Sequence, residues 1–504
     1  MKLKPFAKHL GFASPALLVA VLTAVLTAVL GVSGCASFKL PLATSATSAT
    51  SAAAVAPAAW QAPAPHQGST TDLAQWWSQF NDPLLPRLIS AAQEASPSVS
   101  AAKSRIEQSR AARVAAGAAL TPSLTAQGSA LRGAEGAASP ATSPATSLAA
   151  GLNAAWELDV FGGAAAGRDA AQARLTGSEM LWHGARVSVA AEVATQYTLL
   201  RACEATLVQV QLDAASRNET ARLTDLTAKA GFSAPAQAAL GRASAAQGNS
   251  QLTQQRALCD SVVKGLVFLT GADETALRTQ LNTTRGVIAQ PAQISIPSVP
   301  AALLRQRPDL GNAERELVAA SNDIRQAQAA RLPRIALNGS IGAARVSSSG
   351  AAGGFTNSDS TWSLGPLSVS LPLFDGGTRQ AQVSAAQARH TDATVQYNAK
   401  LRAAVREVED ALIALQSTAD RSGDAQVATE GFTASLRATD ARYKGGLATL
   451  FELEDARRSA VQAQTALIDL QRERVTAWIL LYRALGGGWS ADASVLASNA
   501  AAKN

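Results

Sequence analysis

The chain contains one structural unit twice. Pro122, Gly128 and Ser129 recur as Pro333, Gly339 and Ser340, at a constant offset of 211. Trp156 to Gly163, which contains Phe161, recurs as Val369 to Gly377, with Phe374 on Phe161. Lys229-Ala230-Gly231-Phe232 recurs as Lys444-Gly445-Gly446-Leu447, at an offset of 215. A repeat of this length constrains the fold more than any single motif, because both copies must build the same supersecondary unit.

Proline spacing gives the content of that unit. The chain has 20 prolines, yet none lies between Pro144 and Pro235, between Pro235 and Pro291, or after Pro372. Proline breaks helices, and these gaps are rich in Ala, Gln, Arg, Leu and Glu, which favour them. The gaps predict long helices at about 163–229, 236–270, 378–443 and 449–485, and a shorter one from about Pro86 to Ala119. Leu401, Val405, Val408, Leu412 and Leu415 step by four and three, as in a coiled-coil seam.

Strands fill the space between helices. Leu148, Ala150, Leu152, Ala154, Trp156, Leu158 and Val160 alternate with Asn153, Glu157, Asp159 and small residues. Ile335 to Ile341 alternates in the same way, and Ser123 to Leu131 does so more weakly. Trp362 and Leu364 share one phase, while Leu367, Val369, Leu371 and Leu373 share the other, so a bulge is expected at Gly365-Pro366. Period-two alternation over about ten residues suits an outer-membrane barrel strand, although a soluble sandwich alternates too. Each half supplies one strand pair, so the chain supplies four strands. Outer-membrane barrels begin at about eight strands, so closure needs two or more chains.

The chain opens with Lys2, Lys4 and Lys8, an apolar run from Ala16 to Leu30, and Val32-Ser33-Gly34-Cys35. A basic start, an apolar stretch and small residues before a cleavage point make a secretory signal. The final four residues resemble the lipobox of bacterial lipoproteins, which implies acylation at Cys35. Ala36 stands where an aspartate would retain such a lipoprotein in the inner membrane, which implies the outer membrane. Residues 36–68 are nearly all Ala, Ser, Thr and Pro, a tether too poor in large apolar groups to form a core. The expected organisation is a signal peptide (1–34), an acylated cysteine with its tether (35–70), two repeats (71–295 and 296–489) and a disordered tail (490–504).

The net charge of +7 is dispersed, with three of its lysines in the leader, and does not suggest nucleic acid. The histidines lie far apart, and there is no CxxC, HExxH or phosphate loop. The sequence therefore offers no catalytic constellation, metal site or cofactor site. Cys203 and Cys259 remain as a pair. Cys203 lies 28 residues before Gly231 and Cys259 lies 28 after it. In an antiparallel helical hairpin turning at Gly231, the two face each other about 42 Å from the tip. An oxidising compartment then permits a disulfide. The alternative is two buried thiols acting as small apolar groups.

Together these residues resemble the outer-membrane factor family, in particular its TolC-like and NodT-like efflux lipoproteins. The match rests on the lipobox at Cys35, on Trp76-Trp77-x-x-Phe80-x-Asp82-Pro83-x-Leu85, on Arg307-Pro308-Asp309-Leu310-x-x-Ala313-Glu314-x-x-Leu317, and on the Pro-Leu-Phe374-Asp-Gly-Gly turn. The resemblance implies a mainly α fold with a membrane β-barrel contribution, closed as a homotrimeric duct. It implies docking to a periplasmic adaptor and an inner-membrane pump of the resistance-nodulation-division type. A duct for type I secretion or another ATP-driven exporter is the alternative. It further implies a periplasmic gate at the second hairpin's tip, with Glu452 and Asp455 lining it and Tyr443 tethering neighbouring hairpins. An arginine expected in that network is replaced by Ala448.

Overall fold

The computed structural model describes residues 73–133, 144–291, 306–348 and 355–487, together with Gln61 and Leu304. The leader, Cys35, the tether apart from Gln61, and the tail at 490–504 lie outside the described residues. After a 3₁₀ segment at Leu73–Phe80 come α1 (Leu84–Ala95), α2 (Pro97–Ala118), β1 (Ser123–Gly133), β2 (Ala145–Leu158), α3 (Gly163–Lys229), α4 (Pro235–Thr270) and α5 (Glu274–Leu281). The second half gives α6 (Pro308–Ala329), β3 (Arg334–Ser348), β4 (Phe355–Ser370), α7 (Thr378–Lys444) and α8 (Leu450–Ala484).

The duplication shows in the helix lengths. Helices α2 and α6 both have 22 residues, and α3 and α7 both have 67. At 1.5 Å per residue the long helices each run about 100 Å. Among the described residues no helix is long and apolar enough to cross a membrane. One expected element is corrected. The helix read from Pro86 to Ala119 is two helices, α1 and α2, broken at Ser96-Pro97. Pro97 cannot donate to the preceding turn. It instead starts α2 at its first position, while the Ser96 hydroxyl accepts the Val99 N–H at 3.4 Å.

The four strands form one antiparallel sheet in the order β1-β2-β3-β4. They run 11 to 16 residues, longer than the ten that alternation marked out. Register places Leu124 beside Ala154, Leu152 beside Ile341, and Ile341 beside Trp362, which gathers one apolar face. The apparent phase change in β4 disappears at the bulge. Leu337 pairs with Leu367, and Gly339 pairs with Leu364, so β4 spends two residues, Gly365 and Pro366, where β3 spends only Asn338. Trp362, Leu364, Leu367 and Val369 thus all lie on the apolar face. The opposite face carries Asn153, Glu157, Asn338, Ser340 and Ser363, with the hydroxyls of the last two 2.9 Å apart.

The main apolar core lies away from the sheet, where the long helices meet the N-terminal segment. Trp76, Phe80, Leu85 and Leu88 pack with Leu200, Leu266, Leu277, Leu412, Trp478 and Leu481. The seam of α7 enters this core through Val408, Leu412 and Leu415. The aromatic stretch before Asp82-Pro83 is anchored twice. Trp76 lies 6.1 Å from Trp478 and 5.4 Å from Tyr482, ring to ring. The Asp82 carboxylate accepts from the Leu84 N–H and the Tyr197 hydroxyl, and that hydroxyl accepts from Arg201 at 2.8 Å. The Arg-Pro-Asp stretch is a second clip. Buried Arg307 grips Asp309 through two nitrogens at 3.0 and 2.8 Å, and donates to Glu407 and to the carbonyl of Ala484, the last residue of α8. Burial would raise the Asp309 carboxyl, but the Arg307 guanidinium more than offsets it and holds it below its usual range.

Candidate functional site

The far ends of the two helical hairpins, remote from the sheet, carry the same turn. In the first, Ala230, Gly231 and Phe232 donate to the carbonyls of Leu226, Ala228 and Thr227. In the second, Gly445, Gly446 and Leu447 donate to Ala441, Tyr443 and Arg442. Both turns need a left-handed residue, with φ of 81° at Gly231 and 74° at Gly446, which glycine adopts without steric cost. The residue after each glycine is pushed outward: Phe232 is 87% exposed and Leu447 is 74% exposed. Phe451, one turn on, is also exposed. Each tip thus presents an apolar side chain on its surface.

Helix α8 begins at the second tip. Thr449 is its N-cap and Glu452 its third residue, and the two complete a capping box. The Glu452 N–H donates to the Thr449 hydroxyl at 3.2 Å, and the Glu452 carboxylate accepts the Thr449 N–H at 2.6 Å. These Thr449 donors hold the Glu452 carboxyl below its usual range. Asp455 lies one turn further, exposed, with Arg458 at 3.7 Å. An exposed pair at this separation contributes about 0–1 kcal/mol and leaves the carboxylate hydrated. Tyr443 is half-buried in the last turn of α7. Among the described residues its hydroxyl makes no hydrogen bond within the chain.

The other face of the same turn is built differently. At 3.6 residues per turn, Glu454 and Arg457 point away from Glu452 and Asp455. They meet α3 and α4 of the first hairpin in a buried cluster. Arg457 donates to Glu454 at 2.7 Å, to the Ser216 hydroxyl at 2.9 Å and to the Thr220 hydroxyl at 2.8 Å. Glu454 also accepts from Arg217 at 2.8 Å and from Ser244 at 2.7 Å. Arg217 in turn holds Asp213 at 2.7 Å. Two arginines and two carboxylates therefore balance in a site where Arg457 is 3% exposed. Sequence reasoning missed this cluster. The residues sit at helical spacings common to solvated faces, and only the tertiary packing of one hairpin on the other distinguishes them.

Cys203 of α3 and Cys259 of α4 are joined in the structure, with Cα atoms 5.6 Å apart, inside the range a disulfide requires. Nearer the tip, Gly241 and Gly248 let the two helices approach. A Cβ on Gly248 would lie 3.4 Å from the Ala214 Cα, and one on Gly241 would lie 3.3 Å from the Ala221 Cα. The first hairpin is thus cross-linked and closely packed, and the α8 end of the second is held to it by charge.

A family model described as outer membrane efflux protein matches residues 88–272 and again 299–487. The chain is 32% identical over 444 residues to outer membrane protein OprJ of Pseudomonas aeruginosa, covering 86% of this chain and 90% of that protein. It is 28% identical to solvent efflux pump outer membrane protein SrpC of Pseudomonas putida, covering 82% of this chain and 87% of that one. Among solved structures, a membrane protein from Pseudomonas aeruginosa superposes with a TM-score of 0.77 at 29% identity, covering 86% of this chain and 98% of that one. The outer membrane protein VceC from Vibrio cholerae superposes with a TM-score of 0.71 at 26% identity, covering 83% and 99%.

Proposed function

Since the chain belongs to the outer membrane efflux protein family and is an outer-membrane efflux channel, we propose that three copies close one barrel and one periplasmic tunnel, gated where α8 begins. The four-strand sheet carries this reading. Its apolar face needs lipid, and its edge strands β1 and β4 each leave a row of backbone groups that only another chain can pair in a membrane. Three chains give twelve strands, within the range of outer-membrane barrels. The polar face then lines the passage. Movement through it is passive, and energy comes from a pump of the resistance-nodulation-division type in the inner membrane. The exposed Phe232, Leu447 and Phe451 supply the apolar surface on which a periplasmic adaptor docks.

The two faces of α8 support the gate reading. Glu454 and Arg457 are turned to the first hairpin, which leaves Glu452 and Asp455 to face the axis. Six carboxylates around a narrow opening raise the local cation concentration. The pore is expected to be cation-selective, and reversal-potential measurements on Glu452→Ala/Asp455→Ala should show that selectivity reduced. Because Thr449 holds the Glu452 charge, selectivity should persist as pH falls to the ordinary glutamate range and fade only below it. A double variant with wild-type ion selectivity would remove these residues from the passage.

Cys35 we assign as the acylated anchor, on the strength of the lipobox alone. Labelled palmitate should enter the wild-type chain and not Cys35→Ala; label retained in the variant would reject the assignment.

A further inference from the structure

The apolar face of the sheet changes character at the hairpin-loop end, opposite the long helices. Following the register across the strands, the face reads Leu124, Ala126, Gly128, Ala130 and Arg132 on β1, then Thr146, Leu148, Ala150, Leu152, Ala154 and Trp156 on β2. On β3 it reads Ile335, Leu337, Gly339, Ile341, Ala343 and Arg345, and on β4 it ends in Trp362, Ser360 and Ser358. Arg132 is level with Thr146, and Arg345 is level with Leu148. Both arginines therefore stand on the lipid-facing side, Arg132 just beyond the apolar belt and Arg345 at its last row. Strand spacing and rise put their Cα atoms about 12 Å apart.

Among the described residues neither arginine has an acidic neighbour on that side. Among the described residues of this face there is no carboxylate. Glu157 and Asp359, the acids of the described strands, alternate onto the polar face, where Asp359 accepts from the Asn357 amide at 3.0 Å. Both arginines are exposed. The opposite end of the same face, from Leu124 and Trp156 to Ile335 and Val369, carries no charge at all. A guanidinium facing lipid is costly at mid-bilayer and favourable at the headgroup level, where phosphate oxygens accept its forked donors.

The geometry points to a binding site for a phosphorylated, multiply acylated glycolipid of the outer leaflet. Arg132 and Arg345 grip its phosphates, hydroxyls of Thr146, Ser358 and Ser360 meet its sugar, and Leu148, Ile341 and Trp362 carry its acyl chains. The assignment rests on the sheet lying in the outer membrane with its loops outward. A phosphate at each end of a disaccharide headgroup suits two arginines separated along one face. A single surface arginine would not select such a lipid.

The test uses the full-length protein in detergent and native mass spectrometry. It is titrated with diphosphorylated lipid A and, separately, with the same lipid after removal of both phosphates. Wild type should prefer the phosphorylated lipid by about 10- to 30-fold, the effect of two arginines at an anionic headgroup. Arg132→Gln/Arg345→Gln should lose that preference and keep wild-type conductance, which separates loss of the site from loss of the barrel. Arg132→Lys/Arg345→Lys, which keeps both charges, should retain most of it. Equal binding of the two lipids to wild type would overturn the proposal, as would an undiminished preference in the glutamine variant. Displacement of the lipid by millimolar inorganic phosphate would overturn it too, by showing a site for phosphate alone.

Discussion

Replacing Arg457 with alanine is expected to open the channel. The side chain bridges Glu454 on its own helix to Ser216 and Thr220 on the first hairpin. Its removal leaves Glu454 buried with less than its full complement of charge. Removing one partner of a buried ion pair costs about 3–5 kcal/mol. The cluster sits where α8 meets the first hairpin, away from the apolar core, and we take this contact as the one that breaks when the proposed gate opens. Even the lower figure shifts a closed–open equilibrium by about a hundredfold. Planar-bilayer recordings of Arg457→Ala without adaptor should show sustained current where wild type is mostly closed. Taking out both partners as Glu454→Leu/Arg457→Met should be milder, because Arg217 keeps Asp213 and no charge is stranded. A closed Arg457→Ala channel of unchanged thermal stability would show that the cluster is no latch.

The second large effect is expected at the first hairpin. Cys203 and Cys259 are separated by 56 residues. By the chain-entropy argument a cross-link enclosing a loop of that size contributes about 4 kcal/mol. Non-reducing peptide mapping of protein from the periplasmic side should return one cross-linked peptide containing both cysteines. Cys203→Ser/Cys259→Ser should lower the unfolding midpoint measurably and loosen α3 against α4 in hydrogen exchange. The same variant should leave ion selectivity alone, because Glu452 and Asp455 belong to the other hairpin. The functional consequence expected under the proposed gate is division of labour: one hairpin clamped, and the other moving against it. Free thiols at both positions in the mapped wild-type protein would remove the clamp.

What the sequence yielded, and what it withheld, follows physical lines. The long helices were legible to within a residue or two because proline and tip glycines punctuate the chain. The duplicated Lys-x-Gly turns were legible for the same reason. Alternation located the strands, and the phase change in β4 located the bulge at Gly365-Pro366. The break at Ser96-Pro97 was missed because the composition on both sides favours helix, and proline is well tolerated as the first residue of a new one. The Arg307-Pro308-Asp309 stretch was legible only as a resemblance. Its work, holding the end of α8 through the Ala484 carbonyl, joins residues 177 apart. Thr449-x-x-Glu452 is a local capping signal, yet its tertiary setting is what separates the outward pair Glu452 and Asp455 from the buried pair Glu454 and Arg457. Local chemistry shows in sequence; which face of a helix meets a neighbour does not.

The trimer proposed above makes one chain a third of a channel. Its most direct test is the detergent-corrected mass of the purified full-length protein. A single species of three chains is expected: a four-stranded sheet with two unpaired edges has no stable place in a bilayer, and three copies close the proposed twelve-stranded barrel. A stable monomer would contradict the barrel and the tunnel together.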